Sequence, residues 1–162
     1  MAMKKIKVGG QKRVALIAHD HLKDDLVHWC GRHQDVLKSH FLCGTGTTAR
    51  LISEATGLPV KAFRSGPLGG DQQIGARIAE GEIDMVIFFM DPLEAQPHDP
   101  DIRALLRIAT VYDVPIAMNR ASAEFMLYST LMNQEYEHEL NDYAKMTERR
   151  VETIYQEINN EE

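Results

Sequence analysis

Five short apolar runs, VALIA (14–18), HFLC (40–43), VKAF (60–63), MVIFF (85–89) and PIAM (115–118), punctuate the chain, and amphipathic segments fill the intervals between them. Their length and bounding turn residues read as strands. The intervening segments place Leu22, Leu26 and Trp29, then Leu51, Ile52 and Ala55, then Ile74 and Ile78, then Ile102, Leu105, Leu106 and Ala109 at helical spacing. Gly57 and Gly81 stand where the second and third of these helices should stop. After PIAM, ASAEFMLYSTLM supplies a fifth covering helix. VALIA and MVIFF are apolar at every position, as strands buried on both faces must be. Strand alternating with helix around such strands predicts a doubly wound α/β fold on a five-stranded parallel sheet.

The 162 residues, 44% of them hydrophobic, suffice for one core, and a single domain over 1–162 is expected. Residues 1–12 read as a basic N-terminal tail, and residues 133–162, rich in Glu, as a polar helical extension that frays into solvent. A net charge of −6, with Lys and Arg scattered, argues against broad contact with nucleic acid or an anionic membrane. Any anionic small molecule must then be held locally. Cys30 and Cys43 show neither CxxC spacing nor a disulfide framework and read as reduced core thiols. No long apolar stretch follows the basic start, so neither a signal peptide nor a membrane span is supported, and a cytoplasmic location is expected.

In an open parallel sheet, ligands bind beyond the carboxyl ends of the strands. The first strand leads into His19, Asp20, His21 and Lys23, and the second into GTGTT (44–48). The third leads into SGPLGGD, ending in Asp71, and the fourth into MDPLEAQPHDPD, which carries Asp91, His98, Asp99 and Asp101. GTGTT before a helix offers close backbone approach, hydroxyls and free N–H groups, a phosphate cradle in miniature. It lacks the ending of a P-loop and the dinucleotide fingerprint, so nucleotide binding is disfavoured. Ser65 and Gly66 can serve the same anion, with Lys23 as the positive charge. His19 and His21 beside Asp24 and Asp25 pose a metal question, but a lysine inside the cluster repels a divalent cation, and no metal is expected. Asp71 reads either as a helix N-cap or as a general base, and His98, held between Pro97 and Pro100, as a helix start or as a placed imidazole.

The segments AHDHLK, GTGTT, SGPLGGDQQIG, FFMDPL and PHDPDIRALLR, taken together and in this order, resemble the hallmark segments of the methylglyoxal synthase family from about Val14 to about Phe125. SGPLGGDQQ and PHDPD are the specific ones. The resemblance implies a flavodoxin-like domain that assembles as a homohexamer. It also implies conversion of dihydroxyacetone phosphate to methylglyoxal and inorganic phosphate without metal or organic cofactor, with phosphate as product and inhibitor. On that resemblance Asp71 is the base and Asp101 supports proton traffic. His98 stabilises the intermediate, His19 contacts substrate, and Lys23, Thr45, Gly46, Thr47, Thr48, Ser65 and Gly66 bind phosphate. The same fold also serves as a regulatory effector module, which needs the cradle but gains nothing from Asp71, His98 and Asp101. The chain departs from the family at its C-terminus, where EYEHELNDY replaces a more apolar terminal strand and a longer acidic tail follows.

Overall fold

The computed structural model describes residues 2–160. In chain order the first half runs β1 (Met3–Val8), β2 (Arg13–Ala18), α1 (Lys23–Arg32), α2 (Gln34–Leu37), β3 (Phe41–Gly44), α3 (Gly46–Thr56) and β4 (Val60–Ala62). The second half runs α4 (Gly70–Ala79), β5 (Met85–Phe89), α5 (Asp99–Val111), β6 (Ile116–Ala117), α6 (Arg120–Leu127), β7 (Tyr136–Asn141) and α7 (Tyr143–Asn160). Each apolar run of the sequence is a strand. The helical segments between them are α1, α3, α4, α5 and α6, and Gly57 closes α3 in the left-handed region, at φ 75°.

The strands pair in the order β4-β3-β2-β5-β6, all parallel. Among these five the order is 3-2-1-4-5, so the winding reverses between β2 and β5, which pair from Val14 with Met85 to Ala18 with Phe89. That reversal opens the crevice in which a doubly wound sheet binds ligands. Alternate residues of the two central strands serve two cores. Val14, Leu16, Ala18, Met85, Ile87 and Phe89 pack with Leu26 and Trp29 of α1, Ile52 of α3 and Leu127 of α6. Ala15, Ile17, Val86 and Phe88 pack with Ile74 and Ile78 of α4 and Ile102 and Leu105 of α5. Both faces are therefore covered, and the unbroken apolarity of VALIA and MVIFF follows. At the far end Asp84 accepts from the Arg13 backbone N–H (2.7 Å) and from its Nε–H and Nη2–H (3.0 and 2.8 Å), which pins the start of β2 to that of β5.

Two compact units are distinguishable: Val8–Tyr136, and the segments up to Lys7 and from Glu137 onward. The second corrects the reading of the termini. Residues 1–12, expected as a tail, contain β1, and residues 133–162, expected as a helical extension, contain β7 before α7; β1 and β7 form a two-stranded sheet. The reason is a period of two. In β7 Tyr136, His138 and Leu140 are the more covered positions and Glu137 and Glu139 the exposed ones, an alternation the high Glu content obscures. Glu137 pairs with Lys5 at 3.4 Å. Helix α7 is the polar helix expected, and none of its residues is buried.

Candidate active site

Asp71 is not the cap of its helix. Gly69, at φ 97°, is the N-cap of α4, and Asp71 lies in the first turn. Its side chain is 2% exposed, Oδ2 lies 3.5 Å from His98 Nε2, and that oxygen has no hydrogen-bond partner within the chain. A carboxylate that caps would be satisfied by the orphan N–H groups of its helix. This one is buried and held open. Burial pushes its pKa above the usual aspartate range, and a nearby Asp101 adds to the rise while His98 opposes it. The backbone is built around this placement. A Cβ on Gly70 would stand 2.0 Å from the carbonyl oxygen of Arg64, and one on Gly66 would meet His98 Nε2 at 3.1 Å and Asp71 Oδ2 at 3.2 Å. Glycine at both positions lets the SGPLGG turn fold back against the site.

His98 is the N-cap residue of α5, with Pro100 in the first turn. Across the crevice, the backbone N–H of Asp91 donates to His19 Nδ1 (2.9 Å), while His19 Nε2 is buried without a partner. Burial, with His98 nearby, lowers the His19 pKa. The ring is therefore neutral, and because Nδ1 accepts, Nε2 carries the proton. It is a donor without an acceptor. The ring is fixed edge-on to Phe88, with centroids 5.0 Å apart, and stands edge-on to His98 at 5.9 Å.

These groups line a cavity of about 150 Å³ with Ile17, Ala18, Asp20, Lys23, Thr45, Gly66, Pro67, Gln96 and Pro97. The Lys23 amine donates to Ala18 O and pairs with Asp20 Oδ1, both at 2.9 Å, which lowers the Asp20 pKa. Thr45, the N-cap of α3, makes no side-chain cap bond; its hydroxyl donates instead to Thr48 Oγ1 at 3.3 Å. The Gly46 N–H donates to Arg64 O (3.0 Å), so the GTGTT turn lies against the turn after β4 that carries Ser65 and Gly66. The positive ends of α3, α4 and α5 thus meet at one sheet edge, a favourable place for an anion.

Of the residues singled out in the sequence, His19, Lys23, Thr45, Gly66, Asp71 and His98 share this wall. Thr48 is fully buried behind Thr45, Thr47 is exposed, and Gly46 and Ser65 are half-buried beside the cavity. Asp101 stands outside the wall, where its Oδ1 accepts from Gln72 Nε2 (3.1 Å). Two features have no signal in the sequence: the Gln72–Asp101 bond, and the main-chain N–H of Asp91 that sets the His19 tautomer. A larger cavity, about 790 Å³, lies against β3 and β4; His40, Lys61 and Glu82 reach its lining, but none of His19, Lys23, Asp71 and His98 does. Cys43 lines that cavity; burial raises its thiol to about 11 and that of Cys30 to about 12, so neither is a ready nucleophile.

Residues 25–118 match the family described as the MGS-like domain. The methylglyoxal synthase of Clostridium acetobutylicum is 56% identical over 136 residues, 84% of this chain and 94% of that protein. That of Leptospira interrogans is 58% identical over 141 residues, 87% of this chain and 95% of that protein. The crystal structure of methylglyoxal synthase from Elizabethkingia anophelis superposes with a TM-score of 0.83 at 50% identity, covering 86% of this chain and 92% of that one. With half or more of the sequence shared over nearly the full length of these relatives, and the same fold beneath it, the chain belongs to the methylglyoxal synthase family.

Proposed function

We propose that this chain converts dihydroxyacetone phosphate to methylglyoxal and inorganic phosphate, as a carbon–oxygen lyase with Asp71 as its base. The observation that carries the reading is the buried, unsatisfied Asp71 carboxylate, 3.5 Å from His98, in a cavity walled by Lys23 and Thr45. Asp71 takes a proton from the hydroxymethyl carbon. The C–H electron pair becomes the C–C double bond, and the carbonyl pair moves onto oxygen. His19, a neutral Nε2–H donor, and His98 hydrogen-bond to the enediolate oxygens. A proton passes from the hydroxyl on the deprotonated carbon to the former carbonyl oxygen. A pair on that hydroxyl's oxygen then forms a new carbonyl there, the C–C double bond shifts towards the phosphate-bearing carbon, and the C–O bond to phosphate breaks. The product enol becomes methylglyoxal by proton transfer. Lys23, Thr45, Gly46, Thr47, Thr48, Ser65 and Gly66 hold the phosphate, Asp101 supports proton traffic, and the reaction draws on no metal or organic cofactor.

An isomerase makes the same intermediate and reprotonates it, so the two outcomes divide on the phosphate. Expulsion is fast when the breaking C–O bond stands roughly perpendicular to the enediolate plane. Donors on three separate strand ends suit a clamp that holds phosphate in that position and stabilises it as it leaves. The assay is direct: purified chain with dihydroxyacetone phosphate should release methylglyoxal and phosphate in equal amounts. With glyceraldehyde-3-phosphate dehydrogenase present as a trap, little or no aldehyde phosphate should be captured. Capture of the aldehyde phosphate as the main product would overturn the lyase reading while sparing the base. All the candidate groups lie within Val8–Tyr136, in keeping with one catalytic domain. Inhibition by inorganic phosphate, a homohexameric assembly and a cytoplasmic location complete the proposal. Among the described residues no helix is long and apolar enough to cross a membrane.

A further inference from the structure

Beside the cavity, one imidazole nitrogen faces two carboxylates. His21 Nδ1 lies 3.3 Å from Asp91 Oδ2 and 3.3 Å from Glu94 Oε2, and the three ligand atoms are all within 4.8 Å of one another. We propose that His21, Asp91 and Glu94 form a binding site for a divalent first-row cation such as Zn²⁺, separate from the groups that act on substrate. Three features support it. The first is spacing. A proton shared between an imidazole and a carboxylate draws them to about 2.7–2.9 Å. Two ligands each about 2.1 Å from a tetrahedral ion stand roughly 3.4 Å apart. The observed pair of distances matches the second arrangement. The next is preparation of one ligand. The Asp91 side chain is only 9% exposed, and its Oδ1 accepts from the backbone N–H groups of Leu93 (3.0 Å) and Glu94 (3.2 Å), which leaves Oδ2 turned to His21. Ligating carboxylates are commonly held in this way from behind. The last is charge. Asp91 and Glu94 bring two carboxylates to one imidazole, a concentration of ligand oxygens that a divalent ion balances, and the nearby Lys23 amine is already engaged by Asp20 and Ala18 O.

His21 comes from the turn after β2, and Asp91 and Glu94 from the loop after β5 that leads to His98. A bound ion would staple these two loops, which also form the cavity wall, without itself meeting substrate. Its chemistry is independent of the proposed reaction. The test is calorimetric titration of Zn²⁺ into the full chain in phosphate-free buffer, alongside His21→Asn, Glu94→Gln and His98→Asn, with folding of each variant checked by circular dichroism. One Zn²⁺ per chain is expected, with affinity reduced by at least about tenfold in His21→Asn and in Glu94→Gln and unchanged in His98→Asn. The melting temperature should rise with Zn²⁺ in the wild type and not in the first two variants. No uptake of Zn²⁺, uptake that survives both ligand variants, or uptake lost only in His98→Asn would overturn the proposal, the last by placing the ion in the catalytic cavity.

Discussion

Asp71 holds its charge where charge is hardest to hold, 2% exposed and with an oxygen left without a hydrogen bond. Two predictions follow from that position. Asp71→Asn keeps the shape and removes the base, so kcat should fall by about 10²-fold to 10⁴-fold. Because burial raises the Asp71 pKa, the ionised side chain opposes folding at neutral pH, and the same variant should melt no lower than wild type and preferably higher. A near-normal kcat would move the base to Asp101 or Asp20. The pH dependence has a defined sign. Asp71 must be ionised to act, and its pKa lies above the usual aspartate range, so kcat/KM should rise with pH along a limb displaced upward from about 3.9. A flat profile from pH 4 to pH 7 would contradict the assignment. Gly66→Ala tests the geometry: the added methyl would stand 3.1 Å from His98 Nε2 and 3.2 Å from Asp71 Oδ2, and turnover should drop with little change in melting temperature.

Helix α4 shows why an element, and not a residue alone, places the base. It starts where Gly69 turns the chain through a positive φ and Gly70 passes against the Arg64 carbonyl, and its apolar Ile74 and Ile78 then fix the helix to β2 and β5. Gly70→Ala puts a Cβ 2.0 Å from Arg64 O, closer than packing can absorb, so the start of α4 must shift. The expected result is a loss of about 1–3 kcal/mol of stability together with a fall in kcat, read by denaturant melts and steady-state kinetics. Unchanged stability would show that the turn relaxes locally and that the Asp71 position is not set there. These elements were legible in the sequence because their signals are local: apolar runs, helical spacing and glycine stops. β1 and β7 were not. Their pairing joins residues more than a hundred positions apart, and a short alternation among charged residues looks like a solvated tail until the partner strand is known.

At the scale of the whole molecule, two buried histidines couple stability to pH. The Lys12 backbone N–H donates to His40 Nδ1 (2.9 Å) and His40 Nε2 meets Asn133 Oδ1 (3.0 Å), while the Lys12 amine donates to Gly9 O and to Gln134 O, so neutral His40 joins residues far apart in the chain. Burial lowers the pKa of both His40 and His19, and the unfolded chain therefore binds protons first as pH falls. Stability should be fully present above about pH 6.5 and decline below it, and His40→Asn should flatten part of that decline in melts between pH 7 and pH 5. A wild-type midpoint that is constant over that range would refute the coupling. The sequence by itself determined the doubly wound sheet, because strands buried on both faces must be apolar throughout. It also determined which loops carry the unusual residues, because parallel crossovers send every strand end to one edge. Only the tertiary structure decided that Asp71 is a buried carboxylate and not a cap, that a backbone N–H from Asp91 makes His19 a donor, and that Gln72 holds Asp101. Those facts depend on burial and on contacts between residues distant in the chain, and neither is written in local spacing.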